Sequence, residues 1–146
     1  MNMSNETALE YICNCSAIRQ ASRQMTRFYD SCLAEVGLRS TQYIILLILS
    51  RRGPIAMASL SEETVLDRTT LTHSLQPLKM QGLISIDVGK EDRRSRLISL
   101  TDAGLEKVQQ GMAAWQRAQS VFEEKFGQKQ AAAMRQIMAD VVNTKL

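Results

Sequence analysis

The sequence predicts a mainly α-helical protein with one small two-stranded β-hairpin, an α+β fold. Apolar residues recur every three or four positions through most of the chain, which is the period of an amphipathic helix. Two short segments, 84–88 and 98–100, instead alternate apolar and polar side chains, as half-buried strands do. The chain has 146 residues, of which 45% are hydrophobic and 23% charged, so its composition indicates one globular domain.

Six helices are predicted from these periods and from residues that cap or end helices. A long first helix, from about residue 7 to 36, should stop at Gly37. The second, 43–49, follows a cap at Ser40 and Thr41 and is apolar on nearly every side, so it should be the buried core helix. The other helices are expected at 57–64, 68–81, 102–126 and 128–144.

The fourth helix is the centre of the prediction. Asp67 is placed to cap its first turn. Pro77 lies inside it and should bend or loosen one turn, because proline has no N–H for the carbonyl four residues earlier. Gly82 should end it before the hairpin begins. Its buried side should consist of three leucines spaced by four and three, Leu71, Leu75 and Leu78.

The third and fourth helices are separated by a turn near Leu66, and Leu60, Val65 and Leu66 are expected to be buried around it. This spacing is typical of a helix-turn-helix, whose second helix enters the DNA major groove. The alternative is a polar helix face that only meets solvent. The side chains expected to reach base edges or phosphates are Arg68, Thr69, Thr70, Thr72, His73 and Gln76.

The loop between the two strands, residues 89–96, is strongly basic. Its cationic side chains repel one another in the free protein. Their close spacing becomes favourable when they lie beside phosphate oxygens or in a narrow minor groove. Asp92 can pair with Arg94 and fix its direction. A charged solubilising turn is the alternative, although it explains the arginines less well. The predicted DNA-binding wing consists of Lys90, Asp92, Arg93, Arg94 and Arg96.

Several motifs also match a known pattern, namely Asp67-Arg68-Thr69-Thr70-Leu71-Thr72, Gly82-Leu83-Ile84, Asp92-Arg93-Arg94 and Leu100-Thr101-Asp102-Ala103-Gly104, with Gly37-Leu38 and Thr41-Gln42-Tyr43 upstream. Together they resemble the signature of the MarR (multiple antibiotic resistance regulator) family of bacterial transcription factors. The resemblance implies a winged helix-turn-helix homodimer that binds a palindromic double-stranded DNA operator. Such proteins are usually repressors, released by a small molecule or by cysteine oxidation. In that family the residues matching Asp92 and Arg94 matter most, and His73 stands where arginine is common.

The chain is expected to form one continuous domain with two parts. Residues 37–101 would form the winged helix-turn-helix lobe, and residues 1–36 and 102–146 a helical dimerisation region. So small a core cannot easily cover the terminal helices, whereas a twofold homodimer could bury them. The expected apolar stripes are Leu105, Val108, Met112, Trp115 or Gln119, and Phe122 on the fifth helix, and Ala131, Met134, Ile137, Met138, Val141 and Val142 on the sixth.

The three cysteines are expected to be reduced thiols, because their number is odd and no export signal precedes them. Cys13 and Cys32 fall on the apolar stripe of the first helix and should be ordinary core residues. Cys15 lies off that stripe, early in the helix, where the helix dipole and Arg19 favour a thiolate, so it is a candidate redox sensor. In the resembled family, the organic-hydroperoxide sensors carry a reactive cysteine in this region. Tyrosines that such a sensor would need are candidates by composition only, Tyr11, Tyr29 and Tyr43.

Other classes of protein fit less well. A thiol enzyme using Cys15 would lack a nearby base, since His73 is the only histidine. An interaction module that had lost DNA binding would leave the basic loop unexplained. No cofactor and no metal are expected, and neither a signal peptide nor a membrane span is visible, so the expected location is the cytoplasm. A basic face formed by Arg19, Arg23 and Arg27 is interpreted as solvated, with an anion or effector site as the alternative.

Overall fold

The structure is a computed structural model that describes residues 13–146. Within this range the chain is mainly helical with one small antiparallel sheet, and the predicted fold class is confirmed. The helices are α1 (Asn14–Leu33), α2 (Ser40–Arg52), α3 (Met57–Thr64), α4 (Arg68–Met80), α5 (Asp102–Phe126) and α6 (Gln128–Asn143). The strands are β1 (Ile55–Ala56), β2 (Ile84–Val88) and β3 (Arg96–Leu100).

Helix α1 begins at Asn14, so the prediction of one unbroken helix from about residue 7 is wrong at Cys13. The backbone of Cys13 is extended, and its sulfur accepts the Ser16 N–H at 3.4 Å, which caps the helix. The part of the predicted helix before Cys13 lies outside the described residues. After α1 the chain makes a short 3₁₀ turn. This helical segment ends, as predicted, at Gly37, whose φ of 72° lies in the left-handed region.

Helix α2 is the buried core helix, as predicted, but its cap differs from the prediction. Ser40 is already the first helical residue. The backbone N–H of Arg39 donates to Gln42 Oε1 at 3.0 Å, and the Ser40 N–H donates to Asp30 Oδ1 at 2.7 Å. One capping group therefore comes from α1, which local sequence cannot reveal. The fully buried side chains of α2 are Tyr43, Ile45, Leu46 and Leu49.

The sheet has three strands in the order β1-β3-β2, one more than the predicted hairpin. The hairpin pairs Ile84 with Leu100 and Val88 with Arg96. The additional strand, β1, pairs Ile55 with Ile98 on the other side of β3. Two residues are too few to show the alternation by which a strand is recognised, so this strand was not predictable from periodicity.

Helix α5 packs on the core through small residues, and the predicted stripe is only partly correct. Leu105 and Met112, which were expected to be buried, are exposed. A Cβ atom on Gly111 would lie 2.8 Å from the Tyr43 ring, and one on Gly104 would lie 2.1 Å from the Leu83 carbonyl oxygen. The helix therefore approaches its neighbours more closely than large side chains permit. Its buried residues are Gly104, Val108, Gly111, Ala114 and Ala118.

Helix α6 leaves most of its apolar side uncovered. Only Ala131 is buried, and the side chain of Met134 is half-buried. The remaining members of the predicted stripe are exposed in the single chain, Ile137, Met138, Val141 and Val142. No single helix within residues 13–146 is long and apolar enough to cross a membrane. The bent pair of helical segments 14–36 and 40–52 together has the length and composition of a span, but its second segment is the buried core helix.

The turn between α3 and α4 contains a strained residue. Val65 has φ 56°, in the left-handed region, and its side chain is 67% exposed rather than buried as expected. Leu60 is fully buried, as expected, and Leu66 is half-buried. A β-branched side chain is crowded against the backbone in this region, which makes Val65 an unusual turn residue.

We expect Val65→Gly to raise the free energy of unfolding by about 1 kcal/mol. Relief of the left-handed backbone is worth about 1–2 kcal/mol, and the flexibility of glycine in the unfolded chain removes part of that gain. Urea denaturation measures the change. Val88→Gly is the matched control, because Val88 is an exposed valine in an ordinary strand and should lose stability. A loss of stability in both variants would contradict strain at Val65.

Candidate nucleic-acid interface

The start of α4 is fixed by the predicted cap. Asp67 Oδ1 accepts the Thr70 N–H at 2.7 Å. Bonds from the backbone and the hydroxyl of Thr70 lower the pKa of Asp67 below its ordinary value of 3.8, because they stabilise the carboxylate. The three predicted leucines, Leu71, Leu75 and Leu78, are buried and hold the helix to the core.

The opposite side of α4 is polar and exposed. At 100° per residue, Thr69, His73 and Gln76 lie opposite the three leucines. The hydroxyl of Thr72 donates to the Arg68 carbonyl oxygen at 2.7 Å, so toward a ligand this hydroxyl can act as an acceptor. All six residues predicted for this helix are exposed, Arg68, Thr69, Thr70, Thr72, His73 and Gln76.

One exposed residue of this surface was missed by the sequence analysis. Met80 is 84% exposed and continues the line of Thr69, His73 and Gln76 at the same spacing. The spacing is visible in the sequence, but Met80 lies beyond Pro77, where a bend or loosened turn was expected. Helix α4 continues through Pro77, whose carbonyl oxygen accepts the Gln81 N–H at 3.0 Å. The expected bend at Pro77 stays a prediction.

The tip of the hairpin is a tight, well-bonded turn. Asp92 Oδ1 accepts the backbone N–H of Arg94 at 2.9 Å, and not the Arg94 side chain with which it was expected to pair. The N–H and hydroxyl of Ser95 both donate to the Asp92 carbonyl oxygen, at 3.1 and 2.7 Å. A Cβ on Gly89 would lie 1.9 Å from Ser95 Oγ, so only glycine fits there without a shift. Asp92 therefore shapes the backbone rather than neutralising an arginine.

The basic side chains at this tip keep their charge available. Lys90, Arg93 and Arg94 are exposed. The ion pairs within residues 13–146 join Arg52 to Glu63, Arg117 to Glu35 and Arg135 to Glu123. None of them uses a residue of the wing or of the basic face formed by Arg19, Arg23 and Arg27, which is exposed as expected.

The wing and the helix-turn-helix border a common cleft. Its volume is about 460 Å³. Arg68, at the start of α4, and Arg94, at the wing tip, both line it. The remaining walls come from the end of β1, from α3 and from the wing, namely Ala56, Met57, Ala58, Ser61, Asp92, Ser95 and Arg96. Cationic groups from two separate elements therefore converge on one groove.

A small junction ties this region to α5. The hydroxyl of Thr101 donates to the Gly82 carbonyl oxygen at 2.6 Å, and its N–H donates to the Leu83 carbonyl oxygen at 3.1 Å. The same hydroxyl accepts the Gly104 N–H at 3.0 Å and caps α5. One residue thus connects the end of α4, the hairpin and the first turn of α5.

A second cavity, of about 290 Å³, lies between α1, α2 and α5. The Tyr29 hydroxyl donates to Gln119 Oε1 within it. Burial, and secondarily Glu123, raises the pKa of Tyr29, so its phenol stays a neutral donor at neutral pH. The lining is mostly apolar, with a few polar groups, and consists of Met25, Thr26, Tyr29, Leu33, Ser40, Ile44, Trp115 and Gln119.

The cysteines differ from the expectation at one position. Cys13 was expected to be buried, but it is exposed because it precedes α1 instead of lying on its apolar stripe. Cys15 is exposed in the first turn of α1, and Cys32 is half-buried. Tyr43 is buried in the core beside Trp115, at a ring-centroid distance of 6.4 Å, and Tyr11 lies outside the described residues. Residues 13–146 contain no group of three or more potential metal ligands.

Comparison with known proteins identifies the family. The model for the transcriptional regulators SarA/Rot matches residues 27–110. The chain therefore belongs to this family of transcriptional regulators, which has the MarR-type winged helix, and the resemblance inferred from the sequence motifs is confirmed.

Individual relatives agree with this assignment. Over 90 residues the chain is 37% identical to the organic hydroperoxide resistance transcriptional regulator of Bacillus subtilis (strain 168), an alignment that covers 62% of this chain and 61% of that protein. The chain thus spans about three fifths of the length of this relative. The crystal structure of the M. tuberculosis regulator MosR in complex with DNA superimposes with a TM-score of 0.74 and 28% identity, over 90% of this chain and 99% of that one. PcaV of Streptomyces coelicolor, solved in complex with its natural ligand, shares the fold at a TM-score of 0.82, with 20% identity and 99% coverage of both chains.

The lowered pKa of Asp67 predicts a pH-dependent stability. The ionised carboxylate favours the folded state, so its contribution is fully present above pH 3.8 and is lost as the pH falls through the lower folded-state pKa. Asp67→Asn keeps a capping side chain without the charge. We expect the wild type to have the higher Tm at neutral pH, and the difference from Asp67→Asn to close in acid. A difference that stays constant over the whole range would contradict this.

Proposed function

We propose that this chain is a sequence-specific DNA-binding transcriptional repressor that binds a palindromic operator as a homodimer. The observation that carries the proposal is the cleft lined by both Arg68, at the start of α4, and Arg94, in the wing. In duplex DNA the sugar-phosphate backbone separates a major groove from the adjacent minor groove. A cleft with arginines on both sides fits such a backbone strand. The DNA complex of MosR, at 28% identity, supports the same use of the fold. The proposed place of action is the cytoplasm, and no enzymatic activity is proposed.

In the proposed complex α4 lies in the major groove. Thr69, His73 and Gln76 would meet base edges, because they point directly away from the buried leucines. Arg68 would contact a phosphate, and Met80 would offer an apolar surface to a thymine methyl group. Arg94 of the wing would enter the adjacent minor groove, where a narrow groove concentrates negative potential.

A second copy of the chain would supply the dimer. The apolar residues of α6 and Phe126 of α5 are exposed to water in the single chain, which is unfavourable. A contact between two copies related by a twofold axis would bury them. Residues 1–36 and 102–146 would then form the dimerisation region, and residues 37–101 the DNA-binding lobe. Two recognition helices about 34 Å apart, one duplex turn, would explain a palindromic operator.

We expect Arg94→Ala to weaken operator binding by about 1–3 kcal/mol, and to flatten the dependence of log K on log salt concentration by about one unit, because one phosphate or groove contact is lost. Mobility-shift titrations at several salt concentrations, with DNA from upstream of the chain's own coding region, measure both quantities. Lys145→Ala is the matched control, since it removes one exposed positive charge far along the chain from the wing. Equal binding by the two variants would refute the role of Arg94.

Release from DNA is proposed to follow oxidation of Cys15. The thiol is exposed in the first turn of α1, where an oxidant in solution can reach it. Its sulfur would attack the terminal oxygen of an organic hydroperoxide; the O–O bond breaks, an alcohol leaves and a sulfenic acid remains. The B. subtilis relative, named for organic hydroperoxide resistance, makes this class of oxidant the first to test.

Stoichiometric cumene hydroperoxide is therefore expected to weaken operator binding of the wild type about tenfold, a typical coupling between two sites, and dithiothreitol should restore it. Cys15→Ser should not respond. Cys13→Ser and Cys32→Ser are the matched controls and should respond as the wild type does. Unchanged wild-type affinity, or an equal response of Cys15→Ser, would contradict the proposal.

A small-molecule effector is the second candidate trigger, and the 290 Å³ cavity supports it. Its apolar walls with the hydroxyl of Tyr29 and the amide of Gln119 fit a small aromatic ring that carries one hydrogen-bonding group. PcaV was solved with its natural ligand, which supports ligand control in this fold.

Trp115, the only tryptophan, lines the cavity. A small phenol that releases DNA through this site should therefore change the fluorescence of Trp115 equally in the wild type and in Cys15→Ser.

A further inference from the structure

We propose that Arg96 positions the wing instead of contacting DNA. Its guanidinium would hold the tip of the hairpin in one conformation, so that Arg93 and Arg94 are already directed toward the DNA before binding. This inference rests on the proposed DNA-binding function, and it gives the four basic residues of the wing two different roles.

The hydrogen bonds of Arg96 carry the inference. Its Nη1 donates to the carbonyl oxygen of Arg93 at 3.0 Å and to that of Ser95 at 3.1 Å. Both N–H groups of this nitrogen are therefore used within the wing. Arg96 is also half-buried, whereas Lys90, Arg93 and Arg94 are exposed. Of the four basic side chains, this one is turned back onto its own loop.

The backbone of Arg96 gives this clamp a rigid base. Arg96 is the first residue of β3 and pairs with Val88 across the hairpin. The carbonyl oxygen of Ser95 also accepts the Gly89 N–H at 3.0 Å, so that oxygen is bonded from both strands. A side chain anchored in the sheet thus reaches into the turn, which the sheet's own hydrogen bonds do not cover.

Asp92 and Arg96 act on opposite halves of the tip. Asp92 binds the N–H of Arg94, and Arg96 binds the carbonyl of Arg93, so the peptide unit between Arg93 and Arg94 is held at both its hydrogen and its oxygen. A free carbonyl oxygen carries partial negative charge and would face the phosphates unfavourably. The guanidinium covers it with positive charge.

An unclamped tip would have to become ordered when it binds. Fixing the backbone of one residue lowers an equilibrium constant by a factor of about five to thirty. Loss of the clamp should therefore weaken operator binding by about this factor. It should not change the number of phosphates that the protein neutralises, which sets the salt dependence.

The test compares Arg96→Met, Arg96→Lys and Arg94→Ala in the full chain. Operator affinity at several salt concentrations, ¹⁵N relaxation of the 93–95 amides in the free protein, and Tm are measured for each. For Arg96→Met we expect an affinity loss of about five- to thirtyfold with an unchanged salt slope, mobile tip amides and an unchanged Tm. For Arg94→Ala we expect the slope to flatten by about one unit while the tip stays ordered. Arg96→Lys should recover only part of the loss, because an ammonium lacks the planar guanidinium fork.

Three results would overturn the proposal. A salt slope flattened by about one unit in Arg96→Met with an ordered tip would make Arg96 a direct phosphate contact. Full affinity of Arg96→Lys would reduce its role to charge, and tip amides that stay ordered in Arg96→Met would show that no clamp exists. Absence of salt-dependent DNA binding by the wild type would instead refute the proposed function, and the relaxation of the free tip would still decide whether Arg96 holds it.

Discussion

The close approach of α5 to the rest of the chain determines how the other parts are arranged. Gly104 lies against the Leu83 carbonyl and Gly111 against the Tyr43 ring, at distances that leave no room for a side chain. Thr101 adds hydrogen bonds to the turn that follows α4. The end of α4, the hairpin and the long helix α5 therefore meet at one tightly packed junction. Because packed interiors deform little, a displacement of α5 is expected to move α4 and the wing with it.

This junction suggests how an effector could act on DNA binding from a distance. The 290 Å³ cavity is lined by Trp115 and Gln119 of α5, which follow the tightly packed Gly104 and Gly111 along the same helix. The redox candidate Cys15 lies in α1, which packs along the same helix. Both proposed triggers thus act on α5 or its neighbour, and α5 runs as one helix from there back to Asp102, which follows the end of β3. For either trigger to work, α5 must occupy different positions in the DNA-bound and the released protein.

The exposed surface of α4 and the wing shows where sequence reasoning succeeded and where it stopped. The six polar residues of α4 were predicted from helical spacing alone, because the buried leucines at 71, 75 and 78 fix which side faces out. The wing was recognised from its charge, but charge says nothing about hydrogen bonds. Asp92 binds a backbone N–H and Arg96 binds two carbonyls. Both contacts depend on the shape of the turn, which composition cannot supply.

The sequence by itself determined the fold class, four of the six helices nearly to their ends, the hairpin and the family, since periodicity, caps and glycine stops act over a few residues. The tertiary structure decided what depends on distant partners. Asp30 caps α2 from another helix, β1 exists because β3 lies beside it, and α5 buries glycine and alanine instead of Leu105 and Met112. In each case the deciding contact joins residues far apart in the chain, and a pattern within one segment carries no record of that partner.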